Sequence, residues 1–119
     1  MIQTSFFSSK APKERKVCIA KWHRNWNGPR APLFAPSNPK AVDWQGAYWR
    51  DLEERFPDAE SLKHYLLDIE RRTRNPILCC FEKDQTQCHR RVLATFIRKR
   101  LGIDVPEWSN AEPEQFSLV

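Results

Sequence analysis

The chain has no apolar run near the roughly 18 residues that a membrane-spanning helix needs, which excludes a membrane partner from the expectations. Its polar start, MIQTSFFSSK, lacks the basic-then-apolar layout of a secretory signal, so the expected compartment is the cytoplasm. No internal repeat or low-complexity segment interrupts the 119 residues. That excludes repeat architectures and leaves one domain, 1–119, long enough to bury an ordinary core. Cysteine is scarce, with Cys18, Cys79, Cys80 and Cys88 as the full set of four. In a reducing compartment they read as thiols, ligands or nucleophiles before they read as disulfides.

Acid is missing where base is dense. From His89 to Arg100 the chain carries Arg90, Arg91, Arg98, Lys99 and Arg100 and no Asp or Glu. After Trp108 it carries Glu112 and Glu114 and no base. A net charge of +5 points to an anionic partner without requiring one, and a solvated helix face is the plain alternative.

What is present is globular in composition, 40% apolar and 29% charged. IQTSFF (2–7) and VCIA (17–20) read as strands joined by a basic connector. PDAESLKHYLLDIERRTR (57–74) predicts a helix: Asp58 suits the N-cap, and Leu62, Tyr65, Leu66 and Ile69 recur at helical spacing. His64 lies beside that stripe and reads as structural. After the Asn75-Pro76 break, ILCCF (77–81) is a short continuous apolar run, the pattern of a strand buried on both faces of a parallel sheet. A second helix is expected over 89–101, stopped by Gly102, and IDVPEW (103–108) reads as a last strand. Strands alternating with helices imply an α/β layered fold.

The chemistry concentrates between the third strand and the second helix. EKDQTQCHR falls at the carboxyl end of the strand, where open α/β sheets bind ligands, and runs into a helix N-terminus, whose free N–H groups suit anions. Arg90 and Arg91 would strengthen such a site, since guanidinium forks match phosphate oxygens. A thiolate at Cys88 would be favoured there, the usual route to a reactive cysteine.

ILCCFEKDQTQCHRRVLATFI resembles the signature of domain-of-unknown-function family 488, an apolar strand ending in Cys-x-Glu followed by Cys-His-Arg opening a helix. Cys80, Glu82, Cys88, His89 and Arg90 are the matching residues, and the clear likeness spans about 75–105. The resemblance implies a small Rossmann-like α/β domain: a mostly parallel sheet, flanking helices and, in this chain, a long Trp/Pro-rich loop. It does not imply a particular activity. Where other members carry Asp-Val-Arg after the second strand this chain has IAKWHR, and Arg24 is the candidate substitute.

Several readings of the turn stay open. In the first, Cys88, His89 and Arg90 bind a phosphate of a nucleotide or nucleic acid while Glu82 touches its sugar or base. In the second, Cys88 is a nucleophile, or Glu82 attacks or activates at a glycosidic carbon. A tyrosine-phosphatase loop is excluded, because the position six residues after Cys88 is Ala94 rather than arginine. In the third, zinc is held by Cys88, His89 and one of Cys79 and Cys80. Adjacent strand residues face opposite sides, so only one of those two can take part. Adjacent Cys88-His89 is also an unusual ligand spacing, so neither zinc nor another cofactor is expected. In the last, the thiols only pack. Cys18 and one of the paired cysteines read as core in every case.

The stretch from Lys21 to Trp49 holds Trp22, Trp26, Trp44 and Trp49 with Pro29, Pro32, Pro36 and Pro39. The prolines forbid a long helix or central strand, and the segment reads as a long, partly packed surface loop. Trp22 and Trp26 interleave with Lys21, His23, Arg24 and Arg30, aromatic faces to stack bases beside cations to meet phosphates. A satellite core under the loop is the alternative. The expected function is therefore binding of a phosphate-bearing ligand, a nucleotide or a nucleic-acid segment, with turnover left open and Glu82 and Cys88 as the candidate catalytic groups. His89, Arg90, Arg91, Arg24, Trp22 and Trp26 are the candidate ligand contacts. The competing class is a non-catalytic binder or inhibitor that sequesters a nucleotide signal or docks on a partner. A shared pocket for Glu82 and Cys88 would favour the enzyme, and a flat basic-aromatic surface the docking protein.

Overall fold

A computed structural model describes residues 1–82 and 88–109. Three short strands, β1 (Gln3–Phe6), β2 (Lys16–Cys18) and β3 (Ile77–Cys80), form one sheet in the order β1-β3-β2. Both pairings are parallel, with Ser5 and Cys18 each opposite Cys79. The continuous apolar run of β3 follows from its central place, since every residue of Ile77–Cys80 is buried. It is an α/β fold with an all-parallel sheet and three helices, in keeping with a small Rossmann-like domain.

The helices are α1 (Trp44–Arg55), α2 (Ala59–Arg72) and α3 (His89–Leu101). Their apolar residues share one core cluster with Leu78 and Cys80: Tyr48 and Leu52 from α1, Leu62, Leu66 and Ile69 from α2, Leu93, Phe96 and Ile97 from α3. Ile77 and Cys79 point to the other face, where Ala11, Phe7 and Trp108 cover them. All three helices thus pack on one side of the sheet. The connector between β1 and β2 covers the other, held down by the buried Lys16, whose ammonium donates to the carbonyls of Phe7 (2.6 Å) and Ser9 (2.8 Å).

Helix α2 forms as its spacing predicts, and the Asp58 side chain caps it by accepting from Ser61 N–H at 2.8 Å. Helix α3 ends at Gly102, whose φ of 68° is the left-handed conformation that glycine adopts without a Cβ penalty. Two expectations need correction. Residues 44–49 belong not to the loop but to α1, which starts once the last proline, Pro39, is past and Asp43 accepts from Gly46 N–H. Residues 103–108 are not a strand. Among the described residues they make a single bridge, Thr4 to Glu107, because Pro106 has no N–H to continue a ladder.

The remaining loop, 21–43, is latched to α1. Tyr48 donates its hydroxyl to the Phe34 carbonyl at 2.6 Å, Arg55 donates to the carbonyls of Leu33 and Ala35, and Ser37 donates N–H and hydroxyl to Asp51. No described helix is long and apolar enough to cross a membrane.

Candidate functional site

At the carboxyl ends of β2 and β3 lies a cleft of about 210 Å³. One wall is the latched loop, with Lys21, Trp22, Pro36 and Pro39, and the other is the end of β3 and the start of α3, with Cys80, Glu82, Cys88 and His89. The topology makes this juxtaposition. Parallel strands bring their carboxyl ends to one edge, and α3 begins at that edge with Cys88 as its N-cap. Glu82 and Cys88 therefore share one pocket. Glu82 is exposed at its rim, while Cys88 is buried in its lining.

The sulfurs of Cys80 and Cys88 are in bonding contact, a disulfide spanning a Cα separation of 6.8 Å. Paired in this way the two are not the free thiols expected from the sequence, and a nucleophilic role for Cys88 would require the pair to be reduced. Cys18 and Cys79 are free and buried. Cys79, on the far face of the sheet, is pushed up to about 12 by burial, so it is an inert core thiol.

His89 is fixed by three neighbours. Its Nε2 lies 2.6 Å from the Ile19 carbonyl, which can only accept, so Nε2 carries a proton and Nδ1 is the lone-pair nitrogen of the neutral ring. Nδ1 is 3.9 Å from the Cys88 sulfur, and the Tyr48 ring stands edge-on at 5.2 Å. Burial pushes the His89 pKa down to about 4, the Arg90 charge lowering it further and the Ile19 bond opposing both.

Arg90 does not reach into the cleft. Its side chain is 1% exposed and pairs with Glu107, Nη2 to Oε2 at 2.8 Å and Nε to Oε1 at 3.0 Å. It also donates to the Cys80 sulfur (3.2 Å) and the Glu82 carbonyl (2.5 Å), beneath the Phe6 ring. The expected phosphate arginine is instead an internal brace. A guanidinium with a carboxylate in reach meets its desolvation cost by bidentate pairing, and here the remaining Nη1 holds the backbone carbonyl of Glu82. Nothing local signals Glu107 as the partner, because it arrives from beyond α3.

The other candidates divide. Trp22 lines the cleft at 54% exposure, with the ammoniums of Lys21 and Lys40 each 5.4 Å from its ring centroid. Lys21 also donates to the Ser37 carbonyl. Trp26 does not line the cleft: it packs on Phe7 and His23 and donates Nε1–H to Pro29, the satellite core of the alternative reading. Arg24 is exposed and is not part of the lining. Arg91 faces a separate groove with Thr95, Arg98 and Asp104. Sequence reasoning singled out none of Pro36, Pro39 and Trp44 as cleft residues. The dense prolines that shape this wall were visible, but not which way the loop would fold.

An all-parallel α/β domain with a cleft at the carboxyl edge of its sheet is a protein of the Rossmann-like class in architecture. Within that class, residues 5–101 match the family described as the active DUF488-N3 subclade, DUF488-N3a. The match covers most of the chain, which therefore belongs to this family. Neither the curated proteins nor the solved structures gave a match.

Proposed function

We propose that the cleft binds a nucleotide and that Glu82 acts on it at the glycosidic carbon. The observation that carries this reading is the single cleft shared by Trp22, Lys21, Glu82 and the start of α3. Each supplies what one part of a nucleotide needs. The exposed Trp22 face stacks a base. Lys21 and Lys40, already beside that ring, meet the phosphate, and the positive end of α3 adds to their field. At about 210 Å³ the cleft lies below the range of pockets that bury a drug-sized ligand, so it would enclose part of a nucleotide and leave the rest at its rim, and it excludes a duplex. The Glu82 backbone carbonyl accepts from Arg90, which anchors the residue at the rim of the cleft, within reach of a ligand for an acid, base or nucleophile. The family description says "active" and names no substrate or reaction.

The test is binding and turnover of a panel of ribo- and deoxyribonucleotides. Trp22→Ala should lose stacking worth about 1–3 kcal/mol, roughly five- to a hundredfold in affinity, whereas Trp26→Ala should bind like the parent. Glu82→Gln should retain affinity and lose turnover. Equal losses in the two tryptophan variants would overturn the placement. Binding without product by the parent protein would leave the non-catalytic binder in possession.

A further inference from the structure

We propose that Cys80, Cys88 and His89 form a redox-gated site for a thiophilic divalent metal ion, closed in the disulfide form and open to zinc once the disulfide is reduced. The three ligand atoms lie within 4.8 Å of one another. A tetrahedral centre with metal–sulfur bonds of about 2.3 Å and metal–nitrogen of about 2.0 Å requires its sulfur and nitrogen roughly 3.5 Å apart. The Cys88 sulfur and His89 Nδ1 are 3.9 Å apart. Two sulfurs of such a centre stand about 3.8 Å apart, a separation that the bonded pair can reach only after reduction.

The surroundings are those of a ligand set rather than of three residues that merely meet. Histidines that bind metal through one nitrogen usually donate the other N–H to a carbonyl or carboxylate. His89 donates Nε2–H to the Ile19 carbonyl at 2.6 Å, leaving Nδ1 directed at the sulfurs. Arg90 donates to the Cys80 sulfur at 3.2 Å, a contact that favours thiolate, the ligating form. All three residues line the cleft, which provides an entry path and a face for a fourth ligand such as water. The objection from sequence, that adjacent Cys88-His89 is poor ligand spacing, weighs less in three dimensions. The strand end supplies one ligand and the helix start two, and the packing of α3 against β3 brings them together.

The steps balance. A dithiol reductant gives the Cys80–Cys88 disulfide two electrons and two protons and is itself oxidised to a disulfide, leaving two thiols. The divalent ion then displaces both thiol protons into solvent.

The experiment uses the whole protein and no nucleotide, so its outcome is independent of the Trp22 and Glu82 reading. Protein reduced with dithiothreitol, then freed of it under anaerobic conditions, is titrated with Co(II) and then Zn(II). The expected result is one Co(II) per chain with a thiolate-to-cobalt charge-transfer band and tetrahedral ligand-field bands, both displaced by zinc. Oxidised parent protein should show neither. Cys88→Ser should abolish the charge-transfer intensity or weaken binding at least a hundredfold, and Cys18→Ser should leave it intact. Because the oxidised and reduced parent are compared directly, the result does not depend on any variant folding. Absence of the band in the reduced parent, its survival in folded Cys88→Ser, or a native disulfide that resists excess dithiothreitol would each overturn the proposal.

Discussion

Replacing Glu107 by glutamine removes one negative charge from a side chain that keeps nearly the same shape. In the parent, the carboxylate accepts from Arg90 through both oxygens and from the Thr4 hydroxyl at 2.7 Å. The Arg90 side chain is 1% exposed and that of Glu107 25%, so the guanidinium is desolvated while its counterion keeps some water. Removing one partner of a buried ion pair typically costs about 3–5 kcal/mol, because the surviving charge stays buried. The partial exposure of Glu107 lowers the expectation to about 3 kcal/mol. For a domain of this size that is a fall in melting temperature of roughly 10 °C. Arg90→Met leaves an acid that can turn toward water, but it also removes the donors to Glu82 and Cys80. The double variant should therefore be less destabilised than the sum of the singles, with a coupling of at least about 1.5 kcal/mol. Urea and thermal unfolding of the four proteins under oxidising conditions measure this cycle. A melting temperature for Glu107→Gln within two or so degrees of the parent, or strict additivity, would refute the internal-brace reading and return Arg90 to the list of ligand contacts.

Acid should weaken the disulfide form of the protein, with no metal added, through His89. Its folded pKa of about 4 lies below the ordinary value of 6.5, so the unfolded chain binds the extra proton first. Stability is then fully present above pH 6.5 and falls as pH drops toward 4, by up to about 3 kcal/mol. Denaturant midpoints across that range should flatten in His89→Gln, and an unchanged slope in that variant would exclude His89 as the cause. Tyr48→Phe keeps the buried ring but leaves the Phe34 carbonyl without its hydroxyl donor, at an expected cost of about 1–3 kcal/mol. Chemical denaturation measures that cost. Because this bond latches the loop that carries Trp22, hydrogen exchange in 31–37 should rise more than in β3, and uniform exchange would count against the latch.

Much of the scaffold was legible because it depends on short-range pattern. The spacing of Leu62, Leu66 and Ile69 and the Asp58 cap define α2, and the run Ile77–Cys80 bounded by Asn75-Pro76 defines a buried strand. Gly102 closes α3 where the periodicity ends. In each case the residues that decide the outcome lie within a turn or two of one another. The sequence also determined that Cys-x-Glu and Cys-His-Arg fall at a strand end and a helix start, and hence at one edge of the sheet. It could not tell which way those side chains face. Arg90 turns inward because Glu107 is brought back along β1, and His89 is fixed by the Ile19 carbonyl 70 residues away. Cys80 rather than Cys79 meets Cys88 because of the face that β3 presents to the helices. Trp22 enters the cleft and Trp26 leaves it through packing on Phe7. These choices turn on desolvation and on contacts between distant segments. A charge, a ring or a sulfur adopts its role from whichever neighbour the folded chain delivers, and only the tertiary structure names that neighbour.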